Sequence, residues 1–193
     1  MMTLKIDRQT ALIVVDVQND FCPGGALPVK TGDGVVPLFN RYLEIFEKAA
    51  APVYAGRDWH PKNHKSFKKQ RGPWPPHCVQ ETEGARFHPD LKIPHDAVII
   101  SKAWRPEKDA YSEFEGTNLE LSLKRSGVRR LLIGGLATDY CVRGTVLDAC
   151  RLGFETYLLT DAIRGIDVKK GDSERAIEEM KKAGAIPLTL KEI

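Results

Sequence analysis

Six short runs of apolar, largely β-branched residues recur along this chain, and helical patterns fill most of the gaps between them. The runs cover residues 11–17, 51–57, 97–102, 129–135, 155–161 and 186–190. They are of strand length and mostly apolar on both faces, as strands are in a parallel sheet covered on both sides. Apolar residues at the 3.6-residue period mark helices over 34–50, 117–126, 139–152 and 172–184. Gly127, Gly153 and Gly184 stand where helix C-caps belong. This alternation predicts an α/β fold, a sandwich of helices around a parallel sheet. With 193 residues, 42% of them hydrophobic, the chain suits one domain with a full-sized core. It shows neither an internal repeat nor a linker.

Charge and composition exclude several classes of function. The net charge is only +3, and the densest basic run, residues 62–71, reads as a solvated loop rather than a nucleic-acid surface. No run approaches the length of a membrane span, and the polar start carries no signal pattern. The four cysteines, Cys22, Cys78, Cys141 and Cys150, have no paired spacing, which fits a reducing, cytoplasmic setting. The oligomeric state stays open, a homo-oligomer included.

One segment breaks the alternation. Residues 58–96 lie between two strands and hold all five histidines of the chain. A structureless loop of that length is uncommon in a compact domain and usually functional. A metal ion is a good candidate for holding it in place.

In open parallel sheets, ligands bind beyond the carboxyl ends of the strands. The first strand delivers Asp16 there, the second Asp58 and His60, the third Lys102, and the fourth Cys141 through GLATDYC. Each has an ordinary reading: a turn aspartate, a hydrogen-bonded loop pair, a snorkelling lysine, a small buried thiol. Together they make a set. Cys141 falls at a glycine-rich turn opening a helix, where backbone N–H groups and a nearby ammonium favour thiolate. Asp16 can take its proton, Lys102 supplies the ammonium, and the turn offers N–H groups to an oxyanion. Asp58 and His60, joined by His77, give one carboxylate and two imidazoles. That set suits a single divalent ion, Zn²⁺ first, with Fe²⁺ or Mn²⁺ as alternatives. His64 is either a further ligand, a support for the ligands, or an exposed loop residue.

These residues carry a resemblance. LIVVDVQNDFCPGGAL, GRDWHPKNHKSF, GPWPPHCVQETEGA, SKAW with YSEFEGT, and GLATDYCVRGTVLDA resemble, in order, the motifs of nicotinamidases in the isochorismatase-like hydrolase superfamily. The resemblance runs from about residue 11 to 162 and implies a three-layer αβα fold with a six-stranded parallel sheet. It implies a metal-dependent cysteine hydrolase that turns nicotinamide into nicotinate and ammonia, with pyrazinamide as an analogue. A related cysteine amidase for another small amide or ureido compound is the alternative. By motif position Asp16, Lys102 and Cys141 match the catalytic triad, and Asp58, His60 and His77 the metal ligands. The oxyanion hole maps to the backbone amides of Ala137 and Cys141, with a cis peptide before Ala137. Phe21, Trp74 and Tyr111 match residues that flank the pyridine ring. The chain departs from many members at Ala103, where they carry glycine.

Overall fold

A computed structural model describes residues 4–193. Its centre is a six-stranded sheet in the order β3-β2-β1-β4-β5-β6. The strands are β1 (Thr10–Val15), β2 (Val53–Asp58), β3 (Val98–Lys102), β4 (Arg130–Leu136), β5 (Glu155–Arg164) and β6 (Ile186–Leu188). Every neighbouring pair is parallel, with β1 in register against both β2 (Leu12 opposite Val53) and β4 (Leu12 opposite Leu132). The helices are α1 (Val36–Lys48), α2 (Leu119–Arg125), α3 (Arg143–Arg151) and α4 (Asp172–Lys182).

The period of two along β1 splits the core. Leu12 and Val14 join Phe39, Tyr42, Leu43 and Phe46 of α1 on one face. Ala11, Ile13 and Val15 join Leu119 and Leu123 of α2, Val146 and Ala149 of α3, and Met180 of α4 on the other. The result is the expected three layers. Phe39 and Phe46 are wholly buried, and each contributes about 2–3 kcal/mol of hydrophobic stabilisation. Pro37 sits in the first turn of α1, where its missing N–H would have no partner anyway. Gly127, Gly153 and Gly184 take left-handed backbone conformations, as helix C-caps do.

Several boundaries differ from the pattern in the sequence. The glycines of RRLLIGG do not stop β4. The strand runs on to Leu136 through a bulge between Ile133 and Gly135. At Gly135 (φ +130°) a Cβ would collide with the Val15 backbone, so glycine is required where β4 passes β1. The helix expected over 139–152 is in two parts, a π-helical turn (Thr138–Val142) and then α3. The segment between β2 and β3 is not structureless. It bridges back on itself at His60 with Val79 and Phe67 with Trp74, and buries Phe67, Cys78, Ala85 and Leu91.

The chain builds β2 and then β3 outward on one side of β1, and returns from β3 to place β4, β5 and β6 on the other. That switch point opens a crevice beyond the carboxyl ends of the strands. Among the described residues no helix is long and apolar enough to cross a membrane.

Candidate active site

Three strand ends meet at the crevice. Asp16 follows β1 with φ +49°, turning the chain off the strand. Lys102 is the last residue of β3, and Cys141 lies in the π-helical turn after β4. Lys102 Nζ donates to Asp16 Oδ2 at 2.6 Å and to Asp58 Oδ1 at 2.7 Å. Atoms of Asp16, Asp58 and Cys141 lie within 4.8 Å of one another. The Cys141 sulfur thus lies within 4.8 Å of an Asp16 carboxylate oxygen. The Leu136–Ala137 peptide is cis, as the resemblance implies, and Ala137 opens the turn that carries Cys141.

Burial sets the charges. It pushes the Cys141 thiol well above its usual range. Lys102 opposes that push, and the neighbouring Asp16 and Asp58 add to it. Burial thus works against the thiolate that the place of Cys141 in the sequence favours, and it makes a base beside the thiol necessary. Burial also raises Asp16, against the pull of Lys102, which makes it a stronger base. For Lys102, burial alone would favour the neutral amine. Asp16 and Asp58 outweigh it, so the ammonium persists. Burial would raise Asp58 too, but Lys102 and His60 hold it well below the usual carboxylate range.

Asp58, His60 and His77 are buried, and each offers one ligand atom within 4.8 Å of the other two. The Nε2 atoms of His60 and His77 face Asp58 Oδ2 at 3.4 and 3.9 Å. Their Nδ1 atoms sit 3.3 Å from the Ala103 carbonyl and 2.8 Å from the Pro75 carbonyl. Those carbonyls fix the tautomer and turn both Nε2 lone pairs toward a carboxylate, an arrangement that calls for a cation between them. The donor set therefore fits one divalent ion. The pocket of Asp16, Asp58 and Cys141 does not, because the Lys102 ammonium already lies between the two carboxylates. Ala103 has φ +53°, a conformation that favours glycine, and it is this backbone that offers its carbonyl to His60.

His64 is buried beside this group without joining it. Its ring lies 4.3 Å from that of His60, while its nitrogens meet Ser66 Oγ at 2.7 Å and the Lys108 carbonyl at 3.2 Å. It supports His60 by packing and is not an exposed loop residue. Phe21 packs against the His77 ring at 5.5 Å. Trp74 Nε1 donates to Tyr111 Oη at 3.1 Å, and both rings contact Tyr140.

Sequence reasoning missed Tyr140, Gln18 and Glu113. Gln18 accepts from the Asp58 N–H at 2.8 Å and donates to the Asp58 and Ala85 carbonyls at 2.9 and 2.8 Å, so it fixes a metal-site residue through its backbone. Its position two residues after Asp16 was the available signal. Glu113 is fully buried beside Lys102.

The model of the isochorismatase domain matches residues 10–192. The chain belongs to the isochorismatase family. Within this family it is 41% identical to the nicotinamidase of Escherichia coli, over 93% of this chain and 94% of that one. The pyrazinamidase of Pyrococcus horikoshii, solved in complex with zinc, superposes with a TM-score of 0.91 at 55% identity, covering 94% of this chain and 99% of that one. A Leishmania protein solved in complex with nicotinate (L. infantum) superposes with a TM-score of 0.89 at 34% identity, covering 98% of both chains.

Proposed function

We propose that this isochorismatase-family protein hydrolyses nicotinamide to nicotinate and ammonia, a step of NAD salvage, through a thioester on Cys141. The observation that carries the reading is the meeting of a buried thiol, base and ammonium with an Asp–His–His donor set in one crevice. In this scheme Asp16 takes the proton of Cys141, and the thiolate attacks the amide carbon. The backbone amides of Ala137 and Cys141 receive the oxyanion. Asp16 returns the proton to the leaving nitrogen, ammonia departs, and a thioester remains. Asp16 then takes a proton from water, whose oxygen attacks the thioester and frees nicotinate and the thiol. Lys102 keeps Asp16 and Asp58 compatible as anions. Phe21, Trp74 and Tyr111 flank the ring and hold its plane. Asp58, His60 and His77 are the residues that would hold the ion. We take zinc, which the Pyrococcus neighbour contains, as that ion. When bound it supplies a Lewis acid that orients the pyridine nitrogen.

The aromatic walls favour a flat heteroaromatic amide over a ureido compound, and pyrazinamide fits as an analogue. We read the chain as one catalytic domain whose 58–96 segment contributes to the metal site. Its four unpaired cysteines suit the cytoplasm. The deciding experiment is ammonia release from nicotinamide by the wild type and by Cys141→Ala. Release by the wild type alone, with equal metal content in both, supports the scheme. Turnover by both proteins would remove the thiol from the mechanism.

A further inference from the structure

Among the described residues, the catalytic scheme leaves one buried carboxyl unused. Glu113, in the segment between β3 and α2, is fully buried, and its Oε1 lies 3.4 Å from Lys102 Nζ. Among the described residues, the buried side-chain oxygens without a hydrogen-bond partner are three: Asp16 Oδ1 and both oxygens of Glu113. These orphans surround one ammonium: Lys102 Nζ lies 2.6 Å from Asp16 Oδ2 and 3.4 Å from Glu113 Oε1, which brings the two carboxyls together in one buried pocket. Two anionic carboxylates cannot satisfy one another, but one proton between them satisfies both.

Charge leads to the same place. Lys102 is one ammonium facing three carboxyls, those of Asp16, Asp58 and Glu113. Its short hydrogen bonds go to the first two. The third carboxyl is the one left to carry a proton. Burial drives the Glu113 carboxyl well above its usual range, further than Lys102 can pull it back.

The fold makes room for this group and ties it to the nucleophile. A Cβ at Gly56 on β2 would collide with the Glu113 carboxyl, so the absent side chain there opens its berth. The Glu113 N–H donates to Thr145 Oγ1 at 3.1 Å, and that hydroxyl donates to the Cys141 carbonyl at 2.8 Å.

We infer that Glu113 is a positioning residue that acts through Asp16, donating a carboxyl O–H to Asp16 Oδ1 while Lys102 donates to Oδ2. A buried carboxylate stays ionised only when donors hold it, and an ionised Asp16 is what can take the Cys141 proton. Glu113 thus keeps the base ready without touching substrate. The inference rests on the proposed reaction for its kinetic consequence but not for its geometry.

The test compares metal-loaded wild type with Glu113→Gln and Glu113→Leu. Glutamine keeps a donor for Asp16, and leucine fills the space without one. Glu113→Gln should hold kcat within about threefold of wild type, and Glu113→Leu should lose about tenfold in kcat at unchanged KM. Two readouts need no turnover. Alkylation of Cys141 by iodoacetamide, followed by mass spectrometry, should slow in the leucine variant only. The infrared band of a protonated carboxyl should be present in the wild type at neutral pH and lost in Glu113→Gln. Absence of that band, or equal losses in the two variants, would overturn the inference. If the wild type leaves nicotinamide intact, the proposed substrate is wrong, and alkylation and the infrared band still decide the role of Glu113.

Discussion

A lysine with no solvent exposure needs a reason to stay charged, and Lys102 has two carboxylates within 2.7 Å. The reason is mutual. Without the ammonium, Asp16 and Asp58 are two buried anions in one pocket, and removing one partner of a buried ion pair leaves the other uncompensated. Lys102→Met keeps the length of the side chain and discards the charge. It should destabilise the protein by about 3–5 kcal/mol in urea denaturation at neutral pH and abolish ammonia release. A stability near that of wild type would mean that both carboxyls simply take up protons. The neighbouring glycine tests the same pocket from behind. Gly56→Ala drives a methyl group into the Glu113 carboxyl, so it should lower the urea midpoint by the equivalent of about 1–3 kcal/mol.

Between elements, Asp161 on β5 joins the two ends of one face. Its Oδ1 accepts from Tyr42 Oη of α1 at 2.8 Å, and its Oδ2 accepts from the Leu190 N–H at 2.9 Å. Burial, reinforced by the bond to Asp161, pushes the Tyr42 phenol above its usual range. Tyr157 on β5 is pushed up to about 12, by burial and by its bond to Glu155. Folding therefore favours the protonated phenols, while the unfolded chain releases these protons near pH ~10. The stabilisation is complete below that pH and falls as pH rises toward the folded values. Urea midpoints should decline above about pH 10, and the decline should be shallower in Tyr42→Phe, which also loses about 1 kcal/mol at neutral pH. Equal slopes in the two proteins would show that the phenol of Tyr42 ionises as easily folded as unfolded. Such long-range ties are invisible in the sequence, yet the elements they join are not. The six strands and four helices described are legible from period and punctuation, because buried parallel strands need continuous apolar runs and three of the helices end on a left-handed glycine. What misleads is glycine inside β4, where Gly135 marks a close crossing with β1 and not an end. The π-helical turn around Cys141 also escapes, since its residues continue the apolar period of α3 without a break.

Over the whole molecule, the sheet fixes one half of the candidate metal site and the long segment before β3 supplies the other. Asp58 ends β2 and His60 follows it, whereas His77 comes from within the segment, held by Asp20, whose Oδ2 accepts the Cys78 N–H at 2.7 Å. Strand ends are readable in sequence because each comes straight after an apolar run, and so Asp16, Asp58, Lys102 and Cys141 could be singled out. Gln18 left only a weak trace, its place two residues after Asp16, and Glu113 none, since what defines them is what they meet across the crevice. A cation shared by strand and segment clamps the two together, and an ion that binds only the folded form stabilises it by mass action. At a free concentration one hundred times the dissociation constant this is worth about 2.7 kcal/mol. Stripping the protein with a chelator should lower its melting temperature, and adding Zn²⁺ back should restore it. The segment itself should report the loss. Lys62, Lys65, Lys68, Lys69 and Arg71 are exposed there, so trypsin should cut this stretch faster in the stripped protein, while cleavage in α4 stays unchanged. Faster cutting at both places would indicate global unfolding. Unchanged cutting at both would mean that hydrogen bonds and buried side chains brace the segment unaided, and that the ion's part is confined to the substrate.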